Sequence, residues 1–397
     1  MRLPPRAAFA LLASAALTLL TSSSAPTPLY ATYQARWGFN DLTLTVIFGA
    51  YAVAVLVSLL VFGSLSDHVG RRPPLIIGLA AQALVMLVFA FAGNLDVLLA
   101  ARVLQGIATG AALGAIGAGM VDLHPERGPV VNSSALMAGT ASGSLLAALF
   151  VQFLPAPTEL VYLVLGGVFA LQAIGVFAIS ETSSRIPGAK AALMPTLALP
   201  QQVRGPVITA TPILVAAWAL GGFYASLGPD VAQAVAGSKS MILAGVVLFL
   251  LAGTASLAML RFGHIEPRRF ALAGGVGIIV GSGLLLVGIA TRSLPVFLIG
   301  TFPAGFGFGA GFQGGLRTIV VKAEPHERAG VVSVAYVISY LSLGLPAILA
   351  GVLVVHSSLT QVSEELGAAV IALAALTTLG LAWTLRREAQ QLATAAA

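Results

Sequence analysis

Twelve apolar runs, each close to the length of a membrane-crossing helix, constrain this chain more than any other feature of its sequence. They fall at about 8–30, 41–64, 75–93, 95–121, 132–154, 160–179, 206–229, 240–260, 270–290, 294–320, 330–354 and 366–385. A helical run of about 20 residues, at about 1.5 Å each, spans the ~30 Å hydrocarbon core of a bilayer. The period-two alternation of a membrane β-strand is absent, so helices are the expected element. Only 9% of the residues are charged, against roughly 25% in a soluble domain, so the chain lacks the polar surface to face water all round. The expected fold class is an all-α polytopic membrane protein with twelve transmembrane helices.

The net charge of +6 could suggest a nucleic-acid partner, but its distribution argues against one. Fifteen of the twenty Lys and Arg residues lie in segments on the N-terminal side of the membrane and three on the other; Arg102 and Arg317 fall within runs. The positive-inside rule accounts for that excess and places both termini in the cytoplasm, as in a multi-pass protein of the plasma (inner) membrane. No basic aromatic patch is left for DNA or RNA. With no cysteine in the chain, disulfides and thiolate-bound metals are excluded.

Arg2, Arg6, the first run and Ser22-Ser23-Ser24-Ala25 have the outline of a signal peptide. Its removal would leave eleven helices and break an internal symmetry, so an uncleaved first helix is expected. That symmetry comes from repeats. Pro125-Glu126-Arg127 before Val130-Val131 recurs as Pro325-His326-Glu327-Arg328 before Val331-Val332. At an offset of 201 residues Pro28 meets Pro229 and Gly143 meets Gly344, and Arg71-Arg72 falls near Arg268-Arg269. The longest polar stretch separates the copies. The expected organisation is two pseudo-symmetric six-helix bundles, 1–180 and 206–397, joined by a cytoplasmic linker, 181–205.

Between the second and third runs stands Gly63-Ser64-Leu65-Ser66-Asp67-His68-Val69-Gly70-Arg71-Arg72-Pro73-Pro74-Leu75. This segment resembles the signature G-x-L-a-D-r-x-G-r-[KR]-x-x-l of the major facilitator superfamily, with His68 where a basic residue is usual. Gly63 and Gly70 suit a tight turn, and Asp67 can pair with Arg71, Arg72 or a neighbouring helix N-terminus. The alternatives are a conformational latch or an ordinary topogenic turn. In the fourth run Arg102-Val103-Leu104-Gln105-Gly106 and Gly110 resemble the family's R-x-x-Q-G-x-x-x-g. Arg102, Gln105 and Thr109 share one face of an apolar helix, and an arginine there faces a cavity, a partner or the interface. The drug–proton antiporter branch carries G-x-x-x-G-P-x-x-G-G in its fifth helix; here Gly139 and Gly143 match, but Ser144 replaces the proline and the final glycines are missing.

The resemblance implies alternating access, with a substrate cavity lined by the first, fourth, seventh and tenth helices. In this chain those helices offer Tyr30, Arg102, Gln105, Thr109, Trp218, Tyr224, Phe306 and Gln313. Such an aromatic, weakly polar lining suits proton-coupled efflux of lipophilic small molecules; the alternative is uptake of a metabolite such as an organic anion or a sugar. A monomer with no cofactor and no metal is expected. There is no P-loop, and no H-E-x-x-H or G-x-S-x-G motif, so neither ATP-driven transport nor hydrolytic chemistry is expected. Gly309-Ala310-Gly311-Phe312-Gln313-Gly314 fits G-x-G-x-x-G but lies inside an apolar helix, where it reads as packing. Arg317 is placed to snorkel. No Asp or Glu occupies the middle of a run; Asp41, opening the second, can either pair with Arg102 as a coupling device or simply cap its helix.

Overall fold

The computed structural model describes residues 2–183, 187–194, 199–324 and 327–396. Twelve helices are long and apolar enough to cross a membrane. They are α1 (Pro5–Trp37), α2 (Leu42–Val69), α3 (Arg72–Ala90), α4 (Leu95–Leu123), α5 (Gly128–Phe153) and α6 (Pro157–Val176), then α7 (Gln201–Ser226), α8 (Met241–Phe262), α9 (Pro267–Ala290), α10 (Leu294–Val320), α11 (Gly330–His356) and α12 (Leu359–Trp383). Several begin before their apolar run does. Thus α5 starts at Gly128 and α12 at Leu359, because Asn132, Glu364 and Glu365 sit near helix ends where polar side chains reach water. Pro325 and His326 of the second repeat, and Ser184 to Ile186 in the linker, lie outside the described residues.

Local signals explain the helix boundaries. Asn40 caps α2 by accepting from the Thr43 amide at 2.9 Å, and Asn94 caps α4 by accepting from Val97 at 3.0 Å. Asp41 is therefore not the cap of the second helix; the residue before it is. Prolines shape the first helix of each half. α1 breaks at Ala25, between segments Pro5–Ser24 and Pro26–Trp37. The hydroxyls of Thr21, Ser22 and Ser24 turn back onto carbonyls of their own helix just before the break. α7 is followed in the same way by a short helix, Gly228–Ala236, carrying Pro229.

Two hydrophobic cores form. One is built from residues between Ala8 and Ile179, the other almost entirely from residues between Val203 and Ala374. The halves meet along two seams, α2 with α11 and α5 with α8. In the α5–α8 seam Ser144 donates to the Gly245 carbonyl at 3.2 Å, and Ser256 donates back to the Ser134 carbonyl at 2.9 Å. The α2–α11 seam is tightest away from the linker. A Cβ on Gly49 would stand 2.7 Å from Ile348 Cδ1, and one on Gly351 would meet Thr45. Towards the face that carries the linker and both chain ends, hereafter the basic face, the same helices part over a pocket of about 140 Å³ lined by Leu59, Gly63, Val332 and Tyr336.

Candidate functional site

Between the bundles, near the middle of the spans, lies a cavity of about 90 Å³. From α1 it takes Leu20, Ser23, Ser24 and Thr27, the i, i+3, i+4, i+7 face of a helix. α2 contributes Phe48 and Tyr51, α5 Met137 and Thr140, and α7 Trp218 with Gly221. Phe308 of α10 and Tyr340 of α11 close it. The indole of Trp218 meets Phe308 edge-on at 5.9 Å and Tyr340 at 5.4 Å, so three aromatic rings from three helices form one wall. Among the described residues no Asp, Glu, Lys, Arg or His lines the cavity.

The structure distributes the sequence-derived cavity residues over several places. Trp218 lines the cavity. Tyr30 lies in a smaller pocket of about 20 Å³ between α1, α2, the helix after α7 and α8, together with Gln34, Ser226, Asp230 and Gln233. Phe306 turns away: its ring packs at 6.0 Å from Phe262 and 6.3 Å from Phe270, because a step of two residues from Phe308 rotates about 200° around the helix. Tyr224 bonds Thr301 at 3.1 Å inside the second bundle. Gln313 is buried, close to Gly263 at the basic end of α8. α4 adds no side chain to the cavity. Instead α2 and α11 supply Tyr51 and Tyr340, two aromatic residues that their runs did not distinguish from ordinary core.

Arg102, Gln105 and Thr109 form a buried network behind the cavity wall. Arg102 is fully buried. Its Nε donates to the Tyr30 hydroxyl at 2.9 Å, and Nη1 donates to the Ser23 carbonyl at 3.0 Å and to Gln105 Oε1 at 2.7 Å. Gln105 continues the chain by donating to the Ser22 carbonyl at 2.9 Å. Gln82 of α3 donates to Thr109 Oγ1 at 2.7 Å and to the Gln105 carbonyl at 3.0 Å. The guanidinium carbon also lies 5.6 Å from the Tyr30 ring centroid and 5.1 Å from that of Tyr51. Every described partner of Arg102 is uncharged. The side chain of Asp41, its sequence-derived counterpart, lies outside the described residues.

At the basic face the signature loop builds a charged cluster. Gly70, at φ 98°, makes the turn after Val69 that only glycine enters without strain. Arg71 then pairs with Asp67 and, through Nε, with Asp122 at 3.0 Å, while its Nη1 donates to Ser66 Oγ at 2.8 Å. Glu181 accepts from the Arg71 amide at 2.7 Å and the Arg72 amide at 3.3 Å. Burial raises the Glu181 pKa, but the amides of Arg71, Ser183, Arg72 and Thr182 outweigh it and hold the carboxyl below its ordinary value. Arg72 donates to the Phe177 carbonyl at 2.7 Å. The linker joins in: Thr182 donates to Asp122, Ser183 to the Asp67 carbonyl, and Ser64 to the Ala192 carbonyl. These described contacts stay within the first bundle and the linker and do not reach the second bundle. Asp122 and Glu181 were available to sequence reasoning as lone acids ending the fourth and sixth runs on the side of Asp67.

Arg317, expected to snorkel, is half-buried and donates to the Gly263 and Ile265 carbonyls of the turn after α8, at the basic end of the spans. The glycine-rich stretch of α10 packs against neighbouring helices, with Gly309 on Ala255 and Gly314 on Ala271.

Comparison with known proteins agrees with this architecture. The crystal structure of the human organic anion transporter MFSD10 (TETRAN) superposes with a TM-score of 0.73 at 17% identity, over 95% of this chain and 100% of that one. The nucleoside transporter NupG (D323A mutant) gives 0.69 at 11% identity, again over 95% and 100%. At these identities the likeness is one of fold. Local sequence similarity is higher. The chain is 42% identical over 64 residues to multidrug resistance protein D of Escherichia coli (strain K12), covering 16% of each. It is 47% identical over 49 residues to the major facilitator superfamily multidrug transporter mfsB of Aspergillus fumigatus, covering 12% of this chain and 8% of that protein. The chain thus spans only a small part of the length of these curated relatives. A model of the Major Facilitator Superfamily matches residues 11–341, most of the chain, and the chain belongs to that family of transporters.

Proposed function

We propose that this chain is a secondary active exporter of lipophilic, weakly polar small molecules, working by alternating access and driven by protons. The observation that carries the reading is the cavity itself. It lies between the two bundles, is walled by Trp218, Phe308, Tyr340, Phe48 and Tyr51, and carries only hydroxyls and backbone as polar groups on α1. The α2–α11 seam is closed on one side of it and parted on the basic side, which is the asymmetry a rocking carrier needs. The local similarity to two multidrug transporters supports export over uptake.

Proton coupling in this reading runs through Asp41 and Arg102, paired in one access state and separated in the other. Protonation of Asp41 would then favour the state in which the pair is broken. The orientation follows the basic residues: both termini and the linker face the cytoplasm.

A panel of dyes and antibiotics, measured as accumulation in cells lacking the gene and in cells overproducing the protein, tests the proposal. Accumulation of at least one lipophilic compound should fall on overproduction and recover when the proton gradient is collapsed. If no compound's accumulation falls, the export reading is lost.

A further inference from the structure

Arg102 brings a full positive charge to the back of the central cavity with no ionised group against it among the described residues. Its guanidinium is fully buried and its hydrogen bonds run to Tyr30, Ser23 and Gln105, all neutral. Two of the residues it touches are themselves cavity wall. Ser23 accepts through its carbonyl, and the Tyr51 ring centroid lies 5.1 Å from the guanidinium carbon. Among the described residues the cavity lining holds no ionisable acid or base apart from tyrosine, and Arg102 stands directly behind it, against Ser23 and Tyr51. An apolar lining screens such a charge poorly.

Two further features act in the same direction. Tyr51 already offers its ring to one cation, which makes it a poor seat for a second. The wall around Trp218 also offers, among the described residues, no carboxylate that could balance a cation.

We infer that the cavity discriminates by charge: it accepts neutral and anionic lipophiles and rejects organic cations, with Arg102 as the specificity determinant acting through Tyr51 and Ser23. The inference rests on the reading of this cavity as the substrate site. A lipophilic anion in the cavity gains the field of Arg102 without needing a direct contact, whereas that same field repels a cation of the same shape.

Tetraphenylborate and tetraphenylphosphonium differ in charge and hardly in size or shape, which makes them suitable probes. Their binding to the purified full chain in a non-ionic detergent, by equilibrium dialysis with protein-free micelles subtracted, gives the ratio directly. Tetraphenylborate should bind at least about tenfold more tightly, since a unit charge about 10 Å away at an effective dielectric of about 20 changes the binding of each ion by about fifteenfold, in opposite directions. Arg102→Gln should reduce the ratio at least about fivefold, and Arg102→Lys should preserve it. Equal binding, a preference for the cation, binding of neither ion, or an unchanged ratio in Arg102→Gln overturns the inference. The wild-type ratio decides the charge preference even if Arg102→Gln fails to fold. Cells separate the two readings. Export of tetraphenylphosphonium sinks the charge inference and leaves export standing, whereas selective borate binding without export of any compound does the reverse.

Discussion

Replacing Arg71 with alanine should slow transport strongly while leaving expression and membrane insertion nearly intact. The side chain is 12% exposed and joins Asp67, 38% exposed, to Asp122, 27% exposed, with a further bond to Ser66. A hydrogen bond to a charged group contributes about 1.5–3 kcal/mol when buried, but exposed ion pairs contribute only about 0–1 kcal/mol. The partial exposure of both acids puts the cluster between these limits, at about 2 kcal/mol. If the cluster forms fully in one access state alone, its loss shifts the equilibrium between states about thirtyfold. The assay is the initial rate of substrate movement in vesicles, normalised to the protein present, for Arg71→Ala, Asp67→Ala and the double variant. Because both single changes break the same contact, the double variant should lose little more than the worse single one. Normal rates in both single variants would reduce the cluster to a topogenic signal, and fully additive losses would show that the two residues act separately.

Three other outcomes are expected. Cysteines introduced singly at Lys190 and Ser238, in a chain with none of its own, should react oppositely with an impermeant thiol reagent in intact cells, position 238 from outside; labelling of 190 alone would invert the topology. Gly49→Ala places a methyl 2.7 Å from Ile348 Cδ1, so it should impair transport several-fold by loosening the α2–α11 seam, and Ile348→Ala should restore it; a silent Gly49→Ala would mean that the seam is not tight during turnover. Asp41→Asn should abolish dependence on the proton gradient while substrate still binds, and a variant that keeps its full dependence would place the coupling group elsewhere.

The fold was legible because bilayer thickness fixes run length, and because Pro28 and Pro229, at equal places in two repeats, both interrupt their helices. The loop chemistry was legible too, since Gly70, Asp67 and Arg71 lie close in sequence and meet locally. The cavity was less so. In an apolar helix every face is hydrophobic, so the pattern that orients a helix in water is missing and rotation cannot be read from composition. Phe306 and Phe308 look equivalent in sequence, yet one packs in the second bundle and the other lines the cavity. Arg102 stood out as a charge in hydrocarbon, but its burial against Tyr30 and Ser23 depends on how α1 packs beside α4, which no local pattern specifies.

The paired serine bonds of the α5–α8 seam bear on how such a carrier can turn over at all. Ser144 and Ser256 each reach across to a carbonyl of the other half. A hydroxyl on a helix has a second acceptor always at hand, the carbonyl one turn back on its own strand of backbone, as Ser142 and Thr140 show on the same helix. When the seam slides, each proton can swing home instead of being stranded in a medium without water. Polar contacts between membrane helices accordingly average about 0.6 kcal/mol, because the separated helices also find partners. Such a joint behaves like a bearing, guiding the direction of movement while adding little to the barrier that limits its speed.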